Sequence, residues 1–183
     1  MIGERGNSLV VIENGRLSVY CLDDQLTWEV GRLSKGNRPD IQMCSTTVSR
    51  KHGCFQNLDG TWFYVDHKGR NGTICNGRRV TFGISGRTKP VNLHHGDVLI
   101  FGGGEEAVIN SKTVWTVFLE KRIEAPWRTE NTKGLRHLTF SNNMESVSLA
   151  DPEKGIVIEK QDGIAIYMGD ITYLAGNMEV TAG

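Results

Sequence analysis

What most constrains this 183-residue chain is the recurrence of short runs of β-branched, aromatic and aliphatic residues between turn pairs. Leu9-Val10-Val11-Ile12 and Leu17-Ser18-Val19-Tyr20 flank Asn14-Gly15, a pair suited to the positive φ angles of a two-residue hairpin. Leu26 to Val30, Cys54 to Gln56, Trp62 to Val65, Val98 to Phe101 and Thr113 to Leu119 read the same way, with Asp59-Gly60 and His95-Gly96-Asp97 between some of them. No segment sustains a helical period of apolar residues, so the pattern predicts an all-β chain. Many short strands at this spacing favour a sandwich of two antiparallel sheets.

A polar stretch from Lys121 to Gly134, with Pro126 and several charges, interrupts the pattern and reads as a linker or a surface strap. The expected organisation is a first domain over residues 1–122, a linker over 123–134 and a β-rich extension over 135–183. In the extension, Gly155 to Glu159, Gly163 to Tyr167 and Ile171 to Leu174 resemble strands joined through Asp162-Gly163 and Gly169-Asp170. So short a segment rarely builds its own core. It is therefore expected to pack on the first domain or to belong to a second domain cut short.

Lys and Arg number twenty-one and Asp and Glu twenty-one, so overall charge gives no attraction toward nucleic acid or a lipid surface. The distribution is uneven. Gly31 to Pro90 holds eleven Lys or Arg against three Asp, which points to an anionic partner. No apolar run approaches the length of a membrane span, and the expected location is cytoplasmic. Cys21, Cys44, Cys54 and Cys75 lack a Cys-x-x-Cys pair and read as reduced thiols. Zinc through Cys44, His52, Cys54 and Cys75 lacks a familiar ligand spacing, so neither metal nor cofactor is expected.

The chemistry concentrates in Gly31-Arg32 at a strand end, Val48-Ser49-Arg50-Lys51-His52-Gly53, and Asp66-His67-Lys68-Gly69-Arg70-Asn71-Gly72-Thr73-Ile74-Cys75-Asn76-Gly77. A fourth element, Leu93 to Gly102, follows in order. In order and spacing these stretches resemble the forkhead-associated (FHA) family. The resemblance implies an FHA-type β-sandwich and a non-catalytic module that recognises phosphothreonine peptides. The implied partner is a phosphothreonine-containing protein, such as a Ser/Thr kinase or its substrate.

A phosphate on an extended peptide needs a planar cationic fork, a hydroxyl donor and polar groups converging from loops. Arg32 is the natural fork, Ser49 the hydroxyl, and Arg50 a further cationic or N–H contact. Asn71 can accept from and donate to a peptide backbone. The resemblance makes Gly31, His52 and Gly72 structural, with His52 bracing loop backbone, while Asp66 reads as a loop organiser. Many family members carry Ser or Thr just before this asparagine; here the residue is Arg70, which removes that hydroxyl and supplies a second cation or crowds the pocket. Thr47 lies where the family often tunes preference for residues after the phosphothreonine.

Three alternatives compete. A degenerate FHA fold would act as a phospho-independent structural or interaction domain. An enzyme would need more than Phe101-Gly102-Gly103-Gly104-Glu105-Glu106, which lacks the Gly-Lys-Ser/Thr ending of a phosphate loop. A nucleic-acid binder would interleave aromatics with the basic residues, and this chain does not.

Overall fold

The computed structural model describes residues 6–80, 89–103, 113–123, 127–134, 138–140, 146–151, 155–160 and 163–182. Residues 104–106 of the glycine-rich run and Pro126 of the polar stretch lie outside them. Strands β1 (Ser8–Glu13) and β2 (Arg16–Cys21) form the expected hairpin, with Asn14 and Gly15 at φ of 51° and 69°. A 3-10 turn at Leu22–Asp24 leads to β3 (Thr27–Arg32), β4 (Ile41–Met43), β5 (Gly53–Leu58) and β6 (Thr61–Asp66). Then come β7 (Thr73–Cys75), β8 (Arg78–Arg79), β9 (Val91–Asn92), β10 (Val98–Phe101) and β11 (Val114–Leu119).

These strands make two sheets, β2-β1-β11-β10-β7-β8 and β4-β3-β5-β6-β9. Among the described pairings, β3 with β4 departs from the antiparallel pattern by running parallel. The core between the sheets alternates along each strand: Leu9 and Val11, Val30, Phe55, Tyr64, Leu99 and Phe101, and Val114 and Phe118 are all buried there.

β1 and β11 are apolar without alternation, and every residue of β11 is buried. A strand of that kind needs cover on both faces. The second cover comes from the extension, β12 (Arg128–Asn131), β13 (Leu138–Phe140), β14 (Ser146–Asp151), β15 (Gly155–Lys160), β16 (Gly163–Met168), β17 (Ile171–Gly176) and β18 (Val180–Ala182). Its main sheet runs β12-β17-β16-β15-β14, beside a β13-β18 pair. Val157, Ile164 and Ile166 pack against Val10, Ile12, Ile100, Trp115, Val117 and Leu119 on the outer face of the first sheet. Three sheets therefore lie in layers, with β1 and β11 in the middle one. Within the stretch read as a linker, Arg128–Asn131 pairs with β17 and Ile123 is buried in this second core.

A buried polar cluster fixes the same seam. Glu159, 2% exposed, accepts from His95 Nε2 at 2.7 Å and meets Lys121 Nζ at 3.4 Å. His95 Nδ1 in turn accepts the Glu120 N–H at 2.8 Å, and Lys121 Nζ donates to the Lys160 carbonyl at 3.0 Å. The carboxylate is thus paired where it is buried, as its desolvation requires.

His52 locks the loop end of the sandwich. It is fully buried, and its Nδ1 accepts the Ser49 N–H at 3.0 Å. Its Nε2 lies 3.0 Å from the Gly72 carbonyl and 2.9 Å from Thr73 Oγ1. Acceptance at Nδ1 assigns the proton to Nε2, which makes the ring neutral. Burial holds its pKa below the ordinary 6.5, against the opposing pull of the Asp66 charge and the Gly72 bond.

Two outcomes follow from this packing. Ile166→Asp would place an unpaired carboxylate in the seam, at a cost of several kcal/mol. Hydrogen exchange should then show β10 and β11 deprotected and the extension sheet released; unchanged protection would mean the seam does not hold the extension. The His52 contribution is whole above pH 6.5. It is lost as pH falls toward the lowered folded value, because the unfolded chain takes the proton first. An NMR titration should find the His52 ring taking up its proton below the ordinary value of 6.5, and a ring titrating at its ordinary value would contradict the assignment.

Candidate functional site

The end of β3, the segment between β4 and β5 and the segment between β6 and β7 meet at one end of the sandwich. Gly31 permits the first approach, since a Cβ there would collide with the Arg50 carbonyl oxygen. Arg32 N–H then donates to the Ser49 carbonyl at 3.0 Å, and His52 N–H to the Val30 carbonyl at 3.0 Å. Gly72, at φ 78°, turns the β6–β7 segment back so that its carbonyl meets His52 Nε2 and the Gly102 N–H. That φ suits glycine and few other residues.

Asp66 organises the same loop from below. Its Oδ1 accepts from Tyr64 OH at 2.8 Å and Thr73 Oγ1 at 2.7 Å, and its Oδ2 accepts the Lys68 N–H at 2.9 Å. With its oxygens so engaged and only 4% exposed, it is poorly placed to act as a catalytic base.

These segments enclose an open cleft of about 780 Å³, lined in part by Arg32, Ser49, Arg50, Arg70 and Asn71. Residues separated by many positions in sequence are thus brought together. Arg32 Nη1 donates to the Thr46 carbonyl at 3.2 Å, which aims the guanidinium along the cleft and leaves further N–H groups. Ser49 Oγ accepts the Arg70 N–H at 2.9 Å, so its own hydrogen can be given to a ligand. Asn71 Nδ2 donates to the Thr47 carbonyl at 2.8 Å. One of its amide hydrogens therefore braces the loop, while its oxygen has no hydrogen-bond partner among the described residues.

The cleft also contains residues that sequence reasoning did not single out. Lys35 and Lys51 line it, bringing its Lys and Arg side chains to five with Arg32, Arg50 and Arg70, and no Asp or Glu among the described residues lines it. Asn37 Nδ2 donates to the carbonyls of Arg32 at 3.0 Å and Arg50 at 2.9 Å, tying β3 to the Ser49 loop. Glu13, at the β1–β2 hairpin, accepts the N–H groups of Cys44 at 2.8 and 2.9 Å and Ser45 at 2.8 Å. The Ser34 to Asn37 turn carries a local clue in its glycine, whereas the Glu13 contact spans 31 positions and has no local signature.

None of the four cysteines is disulfide-bonded to another, and burial raises the thiols of Cys54 and Cys75 to about 11. Both nitrogens of His52 are engaged, which removes it from any zinc set with Cys44, Cys54 and Cys75. Among the described residues, Glu29, Cys54 and His67 place potential ligand atoms within 4.8 Å of one another. Glu29 and His67 also meet directly, at 3.4 Å. No helix among the described residues is long and apolar enough to cross a membrane.

Residues 28–102 match the family model of the FHA domain. Full-length yeast Pml1p is similar in structure at 23% identity and a TM-score of 0.50, with 63% of this chain and 82% of that one covered. The FHA1 domain of yeast Rad53 is 22% identical with a TM-score of 0.49, over 66% and 80% of the two chains. The FHA domain of the CT664 protein from Chlamydia trachomatis is 19% identical with a TM-score of 0.47, over 62% and 96%. No curated protein matches the chain. The segment from Trp28 to Gly102, which carries the loops of the cleft, is thus the part of the chain that matches the FHA domain.

Proposed function

We propose that this protein is a non-catalytic phosphothreonine-peptide recognition module, in which Arg32, Ser49 and Asn71 hold the ligand and Arg50 and Arg70 add positive charge. An FHA domain is a phosphoprotein-interaction module. The observation that carries the finer reading is the cleft lining, with five cationic side chains, three hydroxyls and two carboxamides but no carboxylate among the described residues. A phosphate dianion is the ligand such a surface favours.

Each contact has a distinct role. The Arg32 guanidinium supplies the planar fork and the Ser49 hydroxyl a donor. Asn71 Oδ1 can accept a peptide N–H and hold the ligand extended. Arg70 stands where a hydroxyl contact is expected in the family; its backbone N–H holds Ser49, and its guanidinium is free to offer charge in place of that hydroxyl.

Residues 1–122 form the recognition module in this reading, 123–134 the connection and 135–183 an extension that supports it. The partner is a phosphothreonine-bearing cytoplasmic protein, such as a Ser/Thr kinase or its substrate. Hydrogen bonds to charged groups contribute about 1.5 to 3 kcal/mol each. Two or three of them, less ordering costs, correspond to affinity of about a micromolar, roughly 8 kcal/mol.

Fluorescence anisotropy with a phosphothreonine peptide library and its unphosphorylated twin tests the reading. Arg32→Ala should weaken binding at least about tenfold, and Arg32→Lys should fall between, because it keeps charge and loses the fork. Equal affinity for the unphosphorylated library would leave a phospho-independent FHA fold in its place. Glu13→Gln should weaken the same binding about threefold or more, with faster hydrogen exchange at Cys44 and Ser45. Unchanged affinity would mean the loop keeps its shape without that carboxylate.

A further inference from the structure

Side chains along β3 and β5 alternate between two faces. Trp28 and Val30 on β3 and Phe55 on β5 enter the core between the sheets, so Glu29 and Cys54 point to the opposite face. The two are direct cross-strand partners. Cys54 also pairs with Val65 of β6, and His67 follows two residues later, just past the end of that strand. A carboxylate, a thiol and an imidazole from three segments thus meet on the outer face of the second sheet, with their ligand atoms within 4.8 Å of one another.

The spacing suits a shared cation better than a bare ion pair. Glu29 Oε2 and His67 Nε2 stand 3.4 Å apart, beyond the roughly 2.7 to 2.9 Å of a charge-assisted hydrogen bond. Two nitrogen or oxygen ligands on a tetrahedral zinc ion, each about 2.0 to 2.1 Å from the metal, lie about 3.4 Å from each other. Cys54 sits beneath them, 1% exposed, whereas the Glu29 and His67 side chains are open to solvent. An ion would therefore arrive from outside and close over the sulfur. The backbone under the ligands is fixed: Glu29 N–H donates to Asp40 Oδ2 at 2.8 Å, His67 N–H donates to the His52 carbonyl at 3.0 Å, and β5 is paired on both sides. Ligands held in this way need little rearrangement to bind.

Charge agrees with zinc. Arg38, Arg50 and Lys51 border the same pocket as Glu29 and His67, and they would repel an uncompensated dication. A thiolate and a carboxylate cancel both charges of Zn2+, so the loaded site adds no net charge beside those cations. On binding, the Cys54 sulfur releases its proton to solvent and donates the freed electron pair to the metal. The Gln56 side chain hydrogen bonds to that sulfur, an outer contact of the kind that orients a metal ligand.

We infer that Glu29, Cys54 and His67 bind one zinc ion on the outer face of the second sheet, with water in the fourth position, and that the ion ties β3, β5 and the β6–β7 segment together. His52 ties the β6–β7 segment from inside the sandwich; the ion would do so from outside. The inference is independent of the phosphothreonine reading.

The test uses the full chain, stripped with EDTA, kept reduced with a phosphine and dialysed against micromolar Zn2+, with metal content read by mass spectrometry. About one ion per chain should be retained. Cys54→Ser, His67→Ala and Glu29→Gln should each weaken binding at least about tenfold, whereas Cys44→Ser, at an exposed thiol outside the cluster, should bind as the parent does. With Co2+ in place of Zn2+, a thiolate-to-cobalt charge-transfer absorption should appear in the parent and vanish in Cys54→Ser. Zinc should also raise the unfolding midpoint of the parent and leave that of His67→Ala unmoved. Because Cys54 is buried, the exposed His67 and Glu29 positions decide the outcome if Cys54→Ser does not fold. Failure to retain zinc, or equal retention by the parent, His67→Ala and Glu29→Gln, overturns the site. Cobalt binding without the charge-transfer absorption removes Cys54 from the ligands and overturns the three-residue assignment.

Discussion

His52 accepts the Ser49 N–H on one side of its ring and donates toward the Gly72 carbonyl and Thr73 Oγ1 on the other, so one buried imidazole spans both loops of the cleft. Only the neutral ring can do this, because protonation at Nδ1 would turn the acceptor for Ser49 into a second donor. Burial enforces that state. The Arg32 N–H to Ser49 carbonyl bond, the Arg70 N–H to Ser49 Oγ bond and the Asn71 bond to Thr47 are all made by these loops. Each depends on the spacing that the ring sets. A ligand meeting loops already tied in this way orders fewer protein groups on binding.

Much of the fold was legible in the chain. Asn14-Gly15 adopts the turn its residues favour, and the runs at 9–12 and 113–119 became β1 and β11. Their lack of alternation carried a further message, burial on both faces, which the extension satisfies through Ile164 and Ile166. β12 was not legible: Arg128–Asn131 is polar and exposed at every position, and only its pairing with β17 makes it a strand. Propensity yields to tertiary context at such an edge. Three-residue β4 and two-residue β9 are too short for a period to register.

Site residues divide along the same line. Arg32, Ser49, Arg50, Arg70 and Asn71 sit in short motifs, and the structure brings all five to one cleft. What motifs could not convey is how the groups are shared. Asn71 was expected to offer both halves of its amide to a ligand, yet one of its hydrogens is engaged by Thr47. Glu13 belongs to a hairpin whose sequence reads only as a turn, and its carboxylate reaches the Cys44 and Ser45 amides because β1 and that loop end at the same edge of the sandwich. Contacts of this kind depend on the packing of two sheets, which no local pattern encodes.

Charge is distributed by the same architecture. At the seam with the extension, Lys121 and His95 converge on buried Glu159, so ionic groups there are matched within the chain. At the loop end, Lys35, Arg50, Lys51 and Arg70 project without a matching carboxylate among the described residues. Formal neutrality of the whole chain therefore conceals a local field at one pole. That field decays over about 8 Å at physiological salt, so it acts on groups that reach the loops and little on those along the sheets. The extension covers the outer face of the first sheet with apolar side chains and leaves the loop cleft open. Among the described residues, the loop cleft is a surface where fixed backbone, unmatched positive charge and accessible donors coincide.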